Sequence, residues 1–157
     1  MFGLGVNNAI AISTLASKVY VAYKAAPDEY RHISEEVMSL QIIIDKAVQY
    51  FKDIVLSNND QQLCQKVLKG CQSVLEDLDC LIEKYNGLDS TNIRQVFKRV
   101  KLGMEDIAAL RTRLISNTVL LNSFIQRCNI FLLLLLSVSN ISSSAANHMR
   151  YVKCRHI

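Results

Sequence analysis

Histidine and cysteine are the side chains from which nucleophilic or metal chemistry would be built here. The chain holds His32, His148 and His156, with Cys64, Cys71, Cys80, Cys128 and Cys154. No C-x-x-C pair, H-E-x-x-H helix, G-x-S-x-G elbow or glycine-rich phosphate loop frames them. His148, Cys154 and His156 are close in sequence, but their spacing fits no common zinc site. His32 follows Arg31 in the first turns of a helix and reads as an exposed polar residue. Cys64 and Cys71 are one heptad apart, which places both on one helix face, where cysteine serves as a small apolar residue. These patterns point away from an enzyme, and neither a metal, a cofactor nor a small-molecule substrate is expected.

The elements that carry these residues are read from composition. The chain has 157 residues, half of them hydrophobic, with one Pro and five Gly. That is enough apolar material for a core and too few turn formers for a sandwich of short strands. Five scattered cysteines argue against a disulfide scaffold and for a reducing, cytoplasmic compartment. The net charge of +4 is too modest for a general nucleic-acid footprint.

Apolar periodicity predicts helices throughout. The first covers about residues 2–25 and ends before Pro27, which with Asp28 and Glu29 opens the second. There Ile33, Val37, Leu40, Ile44, Ala47, Phe51 and Ile54 recur at steps of four and three, the spacing of a bundle seam. Asp60 is the expected N-cap of a third helix, whose seam is Cys64, Val67, Cys71, Val74, Leu78, Leu81 and Tyr85. Asn86, Gly87 and Leu88 supply its stop. Ile93, Val96, Phe97 and Val100 make a short amphipathic fourth helix. The last helix runs through Ile107, Leu110, Leu114, Leu121 and Phe124, with Asn117 or Thr118 where the seam wants an apolar group. A polar residue there sets helix register through a buried hydrogen bond or faces a small wet gap. Short connections imply antiparallel neighbours. The expected fold is therefore all-α, an antiparallel bundle of four to five helices over residues 1–127.

Beyond Arg127 the expectation changes. Residues 128–157 read as an apolar, then Ser-rich, then basic tail, irregular and poorly ordered or an artefact of gene prediction. Its apolar run, 130–136, is too short to span a membrane and is followed by serines, so a tail is expected in preference to an anchor.

Two surfaces stand out. The first helix carries no charge between Phe2 and Ser17 and needs burial or lipid, so Phe2, Leu4, Val6, Ile10, Ile12, Leu15 and Val19 are candidates for engaging a partner or a membrane. The fourth helix presents Arg94, Lys98, Arg99 and Lys101, which suit an anionic surface at about 1 kcal/mol per basic residue.

Several segments resemble one family: residues 2–6, 26–28 with 33–37, 74–78, and 105–114 followed by Asn117 and Thr118. Together they are similar to the fungal N-terminal domain of STAND and NACHT proteins, a HeLo-like group that includes the azaphilone pigment cluster protein L N-terminal domain. The likeness covers about residues 1–126. It implies a non-enzymatic signalling or effector bundle associated with programmed cell death. Such a bundle would associate with protein partners or with itself through helices, and its first helix would engage membranes. A plain interaction scaffold and a truncated gene product are the alternatives.

Overall fold

The computed structural model describes residues 3–26, 28–53, 56–86 and 104–153. Among them are four helices and no strand: α1 (Gly3–Lys24), α2 (Asp28–Asp53), α3 (Asn58–Asn86) and α4 (Met104–Lys153). The protein is an all-α bundle. By its contacts the chain divides into two compact units, Met1–Asn122 and Ser123–Ile157. α4 contributes to both. The expected fourth helix, the Gly87 stop, Ile54 and Pro27 lie outside the described residues.

In the first unit α1 packs against both α2 and α3. Its buried row is Ala9, Ile12, Ala16, Val19 and Tyr23, again three and four residues apart. The Tyr23 hydroxyl donates to the Leu78 carbonyl oxygen at 3.3 Å, which ties the end of α1 to α3. Only three residues separate α1 from α2, so these touching helices must run antiparallel.

The seam expected in α2 is buried from Ile33 to Phe51. In α3 the seam is wider than a strict heptad. Cys64, Cys71, Val74 and Leu78 are buried, but so are Leu68, Leu75 and Ile82, while Val67 and Leu81 are only half-buried. α3 touches α1 on one side and α4 on another, and a helix with two neighbours needs more than two apolar positions per heptad.

The start of α3 corrects a second expectation. Ser57, not Asp60, is the N-cap: the Asp60 backbone N–H donates to Ser57 Oγ at 3.2 Å, and Ser57 Oγ donates to Asp60 Oδ2 at 2.7 Å. The pattern is S-x-x-D, with the acid three residues inside the helix, where it meets the positive end of the dipole.

α3 and α4 approach closely at Gly70. Asn117 Nδ2 donates to the Gly70 carbonyl oxygen at 3.1 Å, which fills the apolar vacancy in the α4 seam with a register-setting bond. A Cβ on Gly70 would stand 2.7 Å from Asn117 Oδ1. Asn117→Ala is expected to cost about 1 kcal/mol through the lost bond. Gly70→Ala is expected to be near neutral alone, because a helix gain of about 0.5–1 kcal/mol meets the displaced amide, and stabilising once Asn117 is Ala. Urea unfolding of the two single variants and the double variant measures this. Equal stabilisation by Gly70→Ala in both backgrounds would dismiss the contact.

The third correction concerns the tail. α4 runs without interruption to Lys153 and is not irregular after Arg127. No Gly or Pro occurs after Gly103, and leucine and alanine favour helix. Ser137 Oγ donates to the Leu134 carbonyl oxygen at 2.8 Å, so a serine that competes with the backbone elsewhere is satisfied within the turn. Within α4 the segment Ile107–Ser137 is long and apolar enough to cross a membrane.

Candidate functional site

The row that buries α1 determines what its other face offers. Ile12 and Val19 point into the core, Val6 and Leu15 are half-buried, and Ile10 is exposed. Phe2 and the Leu4 side chain lie outside the described residues. The candidates from the uncharged helix therefore separate into core and surface. Seven residues carry Ile12 through two turns to Val19 on the same face, whereas Ile10 is turned away from both.

Ile10, Ser13, Ser17 and Val21 follow one another at steps of three and four along α1. Met38, Ile42 and Asp45 do the same along α2. Ser13 Oγ donates to Asp45 Oδ1 at 2.6 Å and so fixes the two rows side by side. The result is an exposed strip on which Ile10 is 47% accessible, Val21 62%, Met38 44% and Ile42 49%. Asp45 is the one acid in these rows, and its carboxylate is held by the serine hydroxyl. Sequence reasoning missed Met38 and Ile42, because α2 was read only for its seam.

The first charge of α1 is directed elsewhere. Lys18 Nζ donates to Asp79 Oδ2 at 2.6 Å and to Glu83 Oε1 at 3.0 Å, both on α3. Its hydrogen bonds to these carboxylates, Asp79 first, raise the ammonium pKa above its ordinary value. Lys18 and Glu83 are solvent-exposed and Asp79 is half-buried, so the fork locates α1 more than it stabilises it.

Two further ion pairs clasp the bundle. The Arg111 guanidinium grips both carboxylate oxygens of Glu36, with Nε at 3.2 and 3.1 Å, and so joins α4 to α2. Arg113 reaches α3, with Nη1 2.6 Å from Asp77 Oδ2 and Nη2 3.1 Å from Ser73 Oγ. Glu36, Asp77, Arg111 and Arg113 all belong to the segments that carry the family resemblance, where they do structural work. A signal for them existed: each sits next to a buried seam residue, the position from which charges reach a neighbouring helix.

Burial pushes the Cys71 thiol up to about 12, far from the range of a reactive thiolate. Cys64 and Cys128 are also buried, and Cys80 is exposed. Among the described residues no group of three His, Cys, Asp or Glu side chains is placed to hold a metal ion. Arg94, Lys98, Arg99, Lys101, Cys154 and His156 lie outside the described residues. Among the described residues the α1–α2 strip offers apolar contact, and Ile115, Val119 and Leu120 on α4 are exposed as well. No family model, curated protein or solved structure matches the chain.

Proposed function

We propose that the unit Met1–Asn122 is a non-enzymatic association module, a helical signalling or effector head that pairs with a second copy of itself across the α1–α2 strip. The observation that carries this reading is the set of four large apolar side chains left exposed on adjoining helix rows. Water gains when such a row is covered, and a matching row on another helix covers it best. Buried thiols such as Cys71 suit a reducing compartment, so a cytoplasmic position is part of the proposal.

The strip is a better contact than a first helix released into a membrane. Releasing α1 would bare to water the apolar faces of α2 and α3 that Ile12, Val19 and Tyr23 now cover, at roughly 1.5–3 kcal/mol for each large side chain uncovered. That sum approaches the whole stability of an ordinary domain, roughly 5–15 kcal/mol.

Sedimentation equilibrium of the full chain in mild detergent tests the reading, since detergent sheathes the exposed leucines of α4. Concentration-dependent dimers are expected. Met38→Glu with Ile42→Glu should weaken them by roughly thirtyfold or more, as for the loss of one anchor residue worth about 2 kcal/mol. A monomer at every concentration, or dimers untouched by the substitutions, would refute pairing through this strip.

A further inference from the structure

We propose that the second unit, Ser123–Ile157, is an anchor that buries the leucine-rich part of α4 in a bilayer carrying anionic headgroups. This stands apart from the association reading, which concerns a different unit and a different test.

The first argument is the pattern of exposure. Ile130, Phe131, Leu133, Leu134, Leu135 and Leu136 are each between 51% and 67% accessible. Successive residues turn by about 100° around a helix, so these six face every direction. A partner helix or a protein groove covers one stripe and would leave the remaining leucines in water. Acyl chains cover the full circumference.

The second argument is length and charge. Residues 128–149 contain no Asp, Glu, Lys or Arg. As helix, these 22 residues extend about 33 Å, against roughly 30 Å for a hydrocarbon core. Arg127 precedes the stretch, and Arg150, Lys153 and Arg155 follow it with Tyr151 among them, a basic and aromatic flank of the kind found at headgroup level. The unit has no acidic side chain at all. Of the chain's eighteen Lys and Arg, four are here, and the other fourteen match its fourteen acids. The entire net charge of +4 therefore sits beside the apolar stretch, where it complements anionic lipid.

The polar residues of the second half do not forbid insertion. A helix satisfies its own backbone, and Ser137 shows how a serine hydroxyl is satisfied within the same turn.

The chain contains no Trp, so Phe131→Trp in the full protein gives a single reporter. Vesicles of phosphatidylcholine with about a third phosphatidylserine serve as the probe membrane. The protein is expected to float with them, to stay bound in high salt, and to show blue-shifted emission quenched by brominated lipid. Neutral vesicles should bind it less tightly. Adding Leu133→Asp and Leu135→Asp should lower partitioning at least about a hundredfold. Replacing residues 132–136 by alanine should also release it while preserving the helix, which guards against loss of fold in the acidic variant. Three results would overturn the anchor: no flotation, flotation abolished by high salt with an unquenched reporter, or a blue shift in lipid-free oligomers that lipid does not alter.

Discussion

Leu75→Ala is expected to destabilise the bundle by about 2–5 kcal/mol, whereas Leu81→Ala should cost about 1 kcal/mol. The strict heptad of α3 assigns the opposite ranking, since it places Leu81 in the seam and leaves Leu75 out. In the folded chain Leu75 is fully buried and Leu81 only half so. Truncating Leu75 removes apolar surface from the core and leaves a cavity that the surrounding helices close incompletely, while a half-buried side chain leaves a gap that water fills. Urea unfolding of both variants decides between the two seams. Equal losses would refute the wider seam.

Alkaline pH should destabilise the protein, with Cys71 carrying a defined share of the effect. Its thiol is raised by burial from an ordinary 9.0 to about 12. Between those values the unfolded chain releases this proton and the native protein keeps it. The unfolded state then binds fewer protons, so stability is fully present below the lower value and falls as pH rises through the window. At one pKa unit per 1.4 kcal/mol, the share of Cys71 reaches on the order of 3 kcal/mol near pH 11. Cys71→Ala should cost about 1 kcal/mol at neutral pH by loss of packing and should spare this term, so its stability curve should cross the parent's at roughly pH 10. Tyr23 is also raised by burial, and Lys18 is raised by hydrogen bonds to Asp79 and Glu83. Both act with the same sign but from higher ordinary values, 10.0 and 10.5. Curves for parent and variant that stay parallel from neutral to alkaline pH would remove Cys71 as a cause.

Much of the bundle was legible from residue spacing. The α2 seam, the α4 seam to Phe124 and the packing role of Cys64 and Cys71 follow from where apolar side chains recur, because burying one helix face requires that recurrence whatever the neighbour is. Other features depended on contacts that spacing does not encode. That Asn117 bonds, and that its acceptor is the Gly70 carbonyl oxygen on α3, came only from the folded chain. Nothing in the spacing of Arg111 and Arg113 names their partners, which are Glu36 on α2 and Asp77 on α3.

The α1–α2 strip divides in the same way. That α1 lacks charge as far as Ser17 is a property of the sequence, as is the uncharged stretch 128–149. Which apolar residues are hidden and which remain outside is decided only by tertiary packing. Ile10 and Ile12 are chemically identical, yet one is on the surface and the other in the core. Leu114 and Leu134 lie on one helix, and only the first is buried. The sequence by itself determined the helices, their period and their charge, because these are local properties of the chain. The tertiary structure decided which apolar surface stays available for a partner or for lipid, because burial depends on residues distant in sequence.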